Sequence, residues 1–285
     1  MAGSLSAQYK ETEQNIFFQI TYRKGAFMSL DRREFLSLIG AGVAAGLMAS
    51  TPLAHATTNS KIKAIAFDAF PIFDPRSVFV LAEQLFPSRG TELSNAWRAR
   101  QFEYQWLRAL SGHYADFWQA TEDALEFSCE MLKIDLTPDK RKQLMDSYLA
   151  LNVWPDVAPA LQSLKNDGIR LAILSNATEK ILDAGINNSE LVGVFEHVLS
   201  TDKIKTYKPD PRAYQMAVDA FNLKRDEILY VAFAGWDAAG AKSFGYPTFW
   251  VNRLNLPVEK LGSVPDSIGK NLIDLVGFVK HTRVD

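Results

Sequence analysis

The chain has 285 residues, 47% hydrophobic and 22% charged, with 31 basic against 33 acidic side chains and a formal net charge of −2. This is the composition of a folded globular protein, and a near-neutral balance gives no support for nucleic-acid binding. A single cysteine, Cys129, and four histidines exclude a disulfide framework and any multi-cysteine zinc or iron–sulfur centre, and leave little room for a histidine-built metal site.

Residues 1–27 show no convincing amphipathic pattern, and Met28 reads as a second plausible start, so the residues before it are expected to come from an over-extended start. Arg32-Arg33, followed by Phe35-Leu36, resembles the twin-arginine export motif. The apolar run from Leu38 to Ala49 would span about 18 Å as a helix at ~1.5 Å per residue, well short of a ~30 Å hydrocarbon core. It runs on to Ala54-His55-Ala56, a small-residue cleavage pattern. Residues 1–56 are therefore expected to be a leader that hands the chain to the twin-arginine export machinery and delivers it to the periplasm. That route carries folded cargo, which suits a domain without disulfides. Within the leader, Gly40-Ala41-Gly42-Val43-Ala44-Ala45 fits a loose dinucleotide fingerprint. The fingerprint needs a strand before it and a helix after it; here it lies between twin arginines and a cleavage site, so nucleotide binding is rejected.

Beyond residue 60 strands and helices alternate. Ile62–Phe67 reads as a first strand, and Ile169–Leu174, His197–Leu199, Ile228–Phe233 and Thr248–Val251 as four more. Helical stretches lie at about 156–167, 178–192, 210–222 and 236–244. Strands separated by helices argue for parallel βαβ units with right-handed crossovers. Residues 76–150 interrupt this rhythm with helices at Ser77–Phe86, Thr91–Leu110, Tyr114–Leu132 and Pro138–Leu149. Phe117, Ala120, Thr121, Ala124, Ser128 and Met131 form one stripe of the third. Thr137-Pro138 supplies a cap and a first-turn proline for the fourth. The expected architecture is α/β: a Rossmann-like parallel core at 57–75 and 151–285, with a helical cap inserted at 76–150.

In open parallel sheets ligands bind beyond the carboxyl ends of the strands. Asp68 follows the first strand, Ser175-Asn176 the second, Lys208-Pro209 the third and its loop, and Trp236-Asp237 the fourth. An acid, a hydroxyl, a lysine and a second acid should converge at one edge. Their order resembles the four motifs of the haloacid dehalogenase superfamily, and the helical insertion resembles its cap. Trp97-Arg98, the run from Gln101 to Arg108, Ala120 to Ala124, Leu174-Ser175-Asn176, Tyr207 to Asp210 and Trp236-Asp237 resemble the type II (S)-2-haloacid dehalogenases in particular. The resemblance spans residues 61–278.

The resemblance and the chemistry together imply roles. Asp68 would displace halide from the substrate carbon and form an alkyl ester, and Lys208 would keep it ionised. Arg98, on the cap, would receive the halide or orient the substrate. Ser175 and the backbone at Asn176 would hold the substrate carboxylate at a helix N-terminus. Asp237 would position the hydrolytic water or orient Lys208, and Tyr214 would support the site. Phe70, Phe102, Phe117 and Trp236 would wall the substrate's carbon chain. The resemblance implies a homodimer through cap helices and a reaction without metal or organic cofactor. Phosphatase chemistry is disfavoured independently. Phosphatases of the superfamily need a second acid two residues after the nucleophile, and Phe70 there has no proton to give.

Three departures from the family pattern stand out. The first motif, usually Asp-x-Tyr-Gly-Thr-Leu-Phe-Asp, is here Asp68-Ala69-Phe70-Pro71-Ile72-Phe73-Asp74, one residue shorter and with Ile72 in place of threonine. In the fourth, Ala232 and Ala234 stand where the family offers serine and asparagine. Each hydrogen bond that these changes remove could cost ~1–3 kcal/mol, and ester hydrolysis, which needs a positioned water, should suffer most. Two other readings stay open: another hydrolase of the superfamily acting on phosphate esters, and a catalytically weak anion-binding homologue.

Overall fold

The structure, a computed structural model, describes residues 62–282. The expected leader, with Arg32-Arg33 and Ala54-His55-Ala56, lies outside the described residues. Six parallel strands form the central sheet in the order β5-β4-β1-β6-β7-β8: β1 (Ala64–Phe67), β4 (Arg170–Ser175), β5 (His197–Ser200), β6 (Ile228–Ala232), β7 (Thr248–Val251) and β8 (Ser267–Gly269). Every residue of β1, β6 and β7 is buried, as expected of strands covered on both faces. From β1 the chain winds outward through β4 to β5 and then returns to β6 on the other side of β1. This reversal opens a crevice at the carboxyl ends of β1 and β6.

Between them run helices α1 (Arg76–Leu85), α2 (Gly90–Leu110), α3 (Phe117–Leu132) and α4 (Pro138–Ser147), then α5 (Val157–Asn166), α6 (Glu179–Asn187), α7 (Pro211–Phe221), α8 (Gly235–Phe244) and α9 (Leu272–His281). A two-stranded antiparallel pair, β2 (Phe73–Asp74) with β3 (Asn152–Val153), brackets α1–α4. It closes the base of the helical insertion where the chain leaves the sheet layer and where it returns. α3 starts because the Asp116 carboxylate accepts from the Gln119 N–H at 2.9 Å. α4 starts with the Thr137 hydroxyl on the Lys140 N–H, followed by Pro138.

The α3 stripe is buried from Phe117 to Ser128, but Met131 is exposed. The helix ends at Lys133 in a left-handed conformation, so the last turn runs off the core before Met131 can reach it. β6 stops at Ala232, one residue short of the expected Phe233. β8 and α9 add to the expected elements. β8 has only three residues and no apolar alternation, whereas α9 carries a readable signal in buried Leu272, Leu275 and Val279.

Candidate active site

Asp68 ends β1, its backbone N–H still bonded to Val231 of β6 at 2.9 Å. Sheet hydrogen bonding thus places the carboxylate at the crevice. Lys208 arrives from the loop after β5, two strands away. That loop is anchored on the end of β4, where the Lys208 N–H donates to Asn176 Oδ1 at 2.9 Å. The ammonium then lies 2.8 Å from Asp68 Oδ1, 2.7 Å from Asp237 Oδ2 and 2.7 Å from the Tyr230 hydroxyl. Three N–H groups meet three acceptors, with the side chain only 1% exposed. Burial works against the Lys208 charge, but the carboxylates of Asp237 and Asp68 beside it outweigh burial and hold its pKa above the ordinary lysine value. Asp68 Oδ2 has only a long 3.4 Å contact from the Phe70 N–H, so one oxygen is held by the lysine and the other is available to react.

Asp237 is as buried as the lysine. Its Oδ2 accepts from Lys208 and from Tyr230 at 3.0 Å, and its Oδ1 from Tyr214 at 2.8 Å. Both of its oxygens are engaged, and Oδ2 holds the Lys208 ammonium in place. Tyr214 is fully buried, donates to Asp237 and does not border the cavity, so it reaches the site only through Asp237 and does not touch substrate. Burial first, and the Asp237 charge second, push the phenols of Tyr214 and Tyr230 well above their ordinary pKa. Both therefore remain O–H donors.

A cavity of about 610 Å³ opens above Asp68. Asp68, Lys208, Ser175, Asn176, Arg98, Phe70, Phe102, Phe117 and Trp236 all border it. The structure thus brings together nine of the residues singled out in the sequence. Phe102 stacks on Trp106 at 5.5 Å and meets Trp236 edge-on at 5.5 Å; Phe70 and Phe233 pack at 6.1 Å. The wall is mostly aromatic, with Arg98 exposed at its cap side and making no salt bridge among the described residues. Ser175 takes a different place from the one expected. Its hydroxyl accepts from the Ala177 N–H at 3.1 Å, whereas α6 begins only at Glu179 after Thr178. The hydroxyl therefore faces the cavity from the end of a strand, not from the first turn of a helix.

Two polar residues escaped the sequence reading. Tyr230 sits inside a buried strand and looks like core filling; only its distance from Asp237, seven residues on, hints at the bond they form. Gln105 lies on the α2 face that carries Arg98 and Gln101, at helical spacing from them, and borders the same cavity. The Lys208 ammonium lies between the carboxylates of Asp68 and Asp237 and bridges one oxygen of each.

A family model for haloacid dehalogenase-like hydrolases matches residues 52–245. An (S)-2-haloacid dehalogenase from Pseudomonas sp. strain YL is 45% identical over 206 residues, 72% of this chain and 89% of that protein. Haloacetate dehalogenase H-2 from Moraxella sp. strain B is 41% identical over 207 residues, 72% and 92% respectively. Among solved structures, an L-2-haloacid dehalogenase from Xanthobacter autotrophicus with chloropropionic acid covalently bound superposes with a TM-score of 0.71 at 32% identity. It covers 77% of this chain and 98% of that one.

Proposed function

Because the chain belongs to the haloacid dehalogenase-like hydrolase family, we propose that it hydrolyses short 2-haloalkanoic acids to 2-hydroxy acids through an ester on Asp68. The observation that carries this is the 2.8 Å clamp of Lys208 on one oxygen of Asp68 at the floor of an aromatic cavity. A carboxylate so held keeps its second oxygen free to attack C2 from the side opposite the halogen. The C2–O bond forms as the carbon–halogen bond breaks, and halide leaves with the electron pair towards Arg98. Water then attacks the ester carbonyl, frees the 2-hydroxy acid, restores Asp68 and releases one proton. No acid is needed on the leaving group, which agrees with Phe70 two residues after the nucleophile. The Xanthobacter relative with chloropropionic acid covalently bound supports a covalent intermediate.

The apolar run Ala232-Phe233-Ala234 supports a slow second half-reaction. Phe233 and Ala234 border the cavity, and Phe233 packs 6.4 Å from Trp154, so these side chains offer a water neither donor nor acceptor. Ile72 is fully buried and adds none. Arg32-Arg33 and Ala54-His55-Ala56 support export through the twin-arginine route to the periplasm. Exposed Leu107, Leu110 and Met131 on α2 and α3 support pairing of two copies through the cap. The test of the activity is halide release from chloroacetate and 2-chloro- and 2-bromopropionate. We expect release with the native protein and none with Asp68→Asn. A folded native protein that releases no halide from any of them would refute the assignment.

A further inference from the structure

We infer that Gln105, on the cap, is a substrate-binding residue whose Nε2 amide donates to the substrate carboxylate. The assignment rests on the 2-haloacid reading of the site and on a chain of donors that begins at the backbone. The Lys208 N–H can only donate, and it does so to the Asn176 side chain at 2.9 Å. That identifies the accepting atom as Asn176 Oδ1, which also takes the Thr201 hydroxyl at 3.3 Å. The Asn176 Nδ2 is thereby turned to α2, where it donates to Gln105 at 3.2 Å. Gln105 must present its Oε1 there, because two amide N–H groups would repel. Its Nε2 is left facing away from Asn176.

That Nε2 is buried and has no hydrogen-bond acceptor, and Gln105 is 0% exposed. An amide N–H₂ left without a partner costs about as much as a broken hydrogen bond. The residue borders the same cavity as Ser175, Asn176 and Arg98, and lies seven positions from Arg98 along α2, about 10 Å at ~1.5 Å per residue. The substrate carries one group rich in acceptors and unchanged by the reaction, its carboxylate. Placed there, it satisfies Nε2 and leaves Arg98 for the halogen. Because the carboxylate is held equally in the ground state and the transition state, the bond lowers KM more than it raises kcat.

The test uses Gln105→Glu and Gln105→Met in the full-length protein, with circular dichroism to confirm folding. Q105E keeps an acceptor for Asn176 but replaces the donor with a negative charge; Q105M removes both. Binding of propionate, a carboxylate with no leaving group, is read at pH 8 from the fluorescence of Trp236 at the cavity wall. We expect affinity to fall about ten- to hundredfold in Q105M and further in Q105E, with KM for 2-chloropropionate following and kcat changing far less. Q105E binding propionate like the native protein would overturn the inference and make Gln105 a prop for Asn176 alone. So would a native protein with no affinity for propionate. Should Q105M not fold, Q105E decides. A native protein that binds propionate in a Gln105-dependent way yet releases no halide would refute the dehalogenase reading and leave this assignment standing. Halide release by Q105E with the native KM for 2-chloropropionate would do the reverse.

Discussion

Lys208 commits all three of its N–H groups to buried acceptors, and only one of these, Tyr230, can be removed without removing a charge. Tyr230→Phe keeps the ring packed between Tyr214 and Tyr246 and deletes the hydroxyl that accepts from Lys208 and donates to Asp237. We expect a cost of ~1–1.5 kcal/mol in positioning, or about tenfold in kcat, with little change in KM. The pH profile gives the sharper readout. Lys208 has its pKa raised by Asp237 and Asp68, so the stability and activity it supports are complete below the ordinary lysine value. They fade only as pH rises through the higher folded value. Losing the Tyr230 acceptor brings the alkaline limb to lower pH; an unmoved limb in a tenfold slower enzyme would show that Tyr230 only packs. Asp68 and Asp237 were legible in the sequence as charges that end apolar runs, and Lys208 from its place in the Tyr207-Lys208-Pro209-Asp210 string. Tyr230 and Gln105 were not. A tyrosine within a strand and a glutamine within a helix look the same whether they pack or donate, and only tertiary contact separates the two.

Among the elements, α8 shows how closely the helix behind the site must approach. A Cβ on Gly240 would lie 2.5 Å from the Tyr214 hydroxyl and 2.8 Å from Pro209 Cβ. Tyr214 is fully buried and cannot swing aside, so Gly240→Ala must push it off Asp237 or move the loop that carries Lys208. The expected loss is ~1–3 kcal/mol in stability, measured by denaturant unfolding, together with reduced turnover. A variant as stable and active as the native protein would mean that α8 can retreat. Helix and strand order was readable from periodicity because the core strands are buried on both faces and the helices between them are amphipathic. The β2–β3 pair and β8 were not, since two or three residues carry no period.

At the scale of the molecule, cap and sheet layer meet through the lysine loop. Trp106 donates to the Lys208 carbonyl at 3.1 Å, the Tyr207 hydroxyl to the Ala115 carbonyl at 2.6 Å, and Tyr114 to Asp202 at 2.9 Å. A change in cap position is therefore felt at Lys208. Sequence patterns do not reveal this coupling, because it joins residues about a hundred positions apart. Two whole-chain expectations follow from the proposed export and pairing. Material recovered from the periplasm should begin at Thr57, and changing Arg32-Arg33 to Lys-Lys should keep the chain in the cytoplasm. Leu110→Lys on the exposed cap face should shift sedimentation from dimer to monomer; unchanged sedimentation would place any pairing elsewhere. The central claim is that Asp68 carries the reaction covalently and that its ester is cleared slowly. Intact-protein mass spectrometry during turnover of 2-chloropropionate tests it most directly. A large fraction of the protein should gain the mass of the propionate ester, mapped to the peptide containing Asp68 and absent in Asp68→Asn. Halide release with no ester on Asp68, even under rapid acid quench, would contradict it.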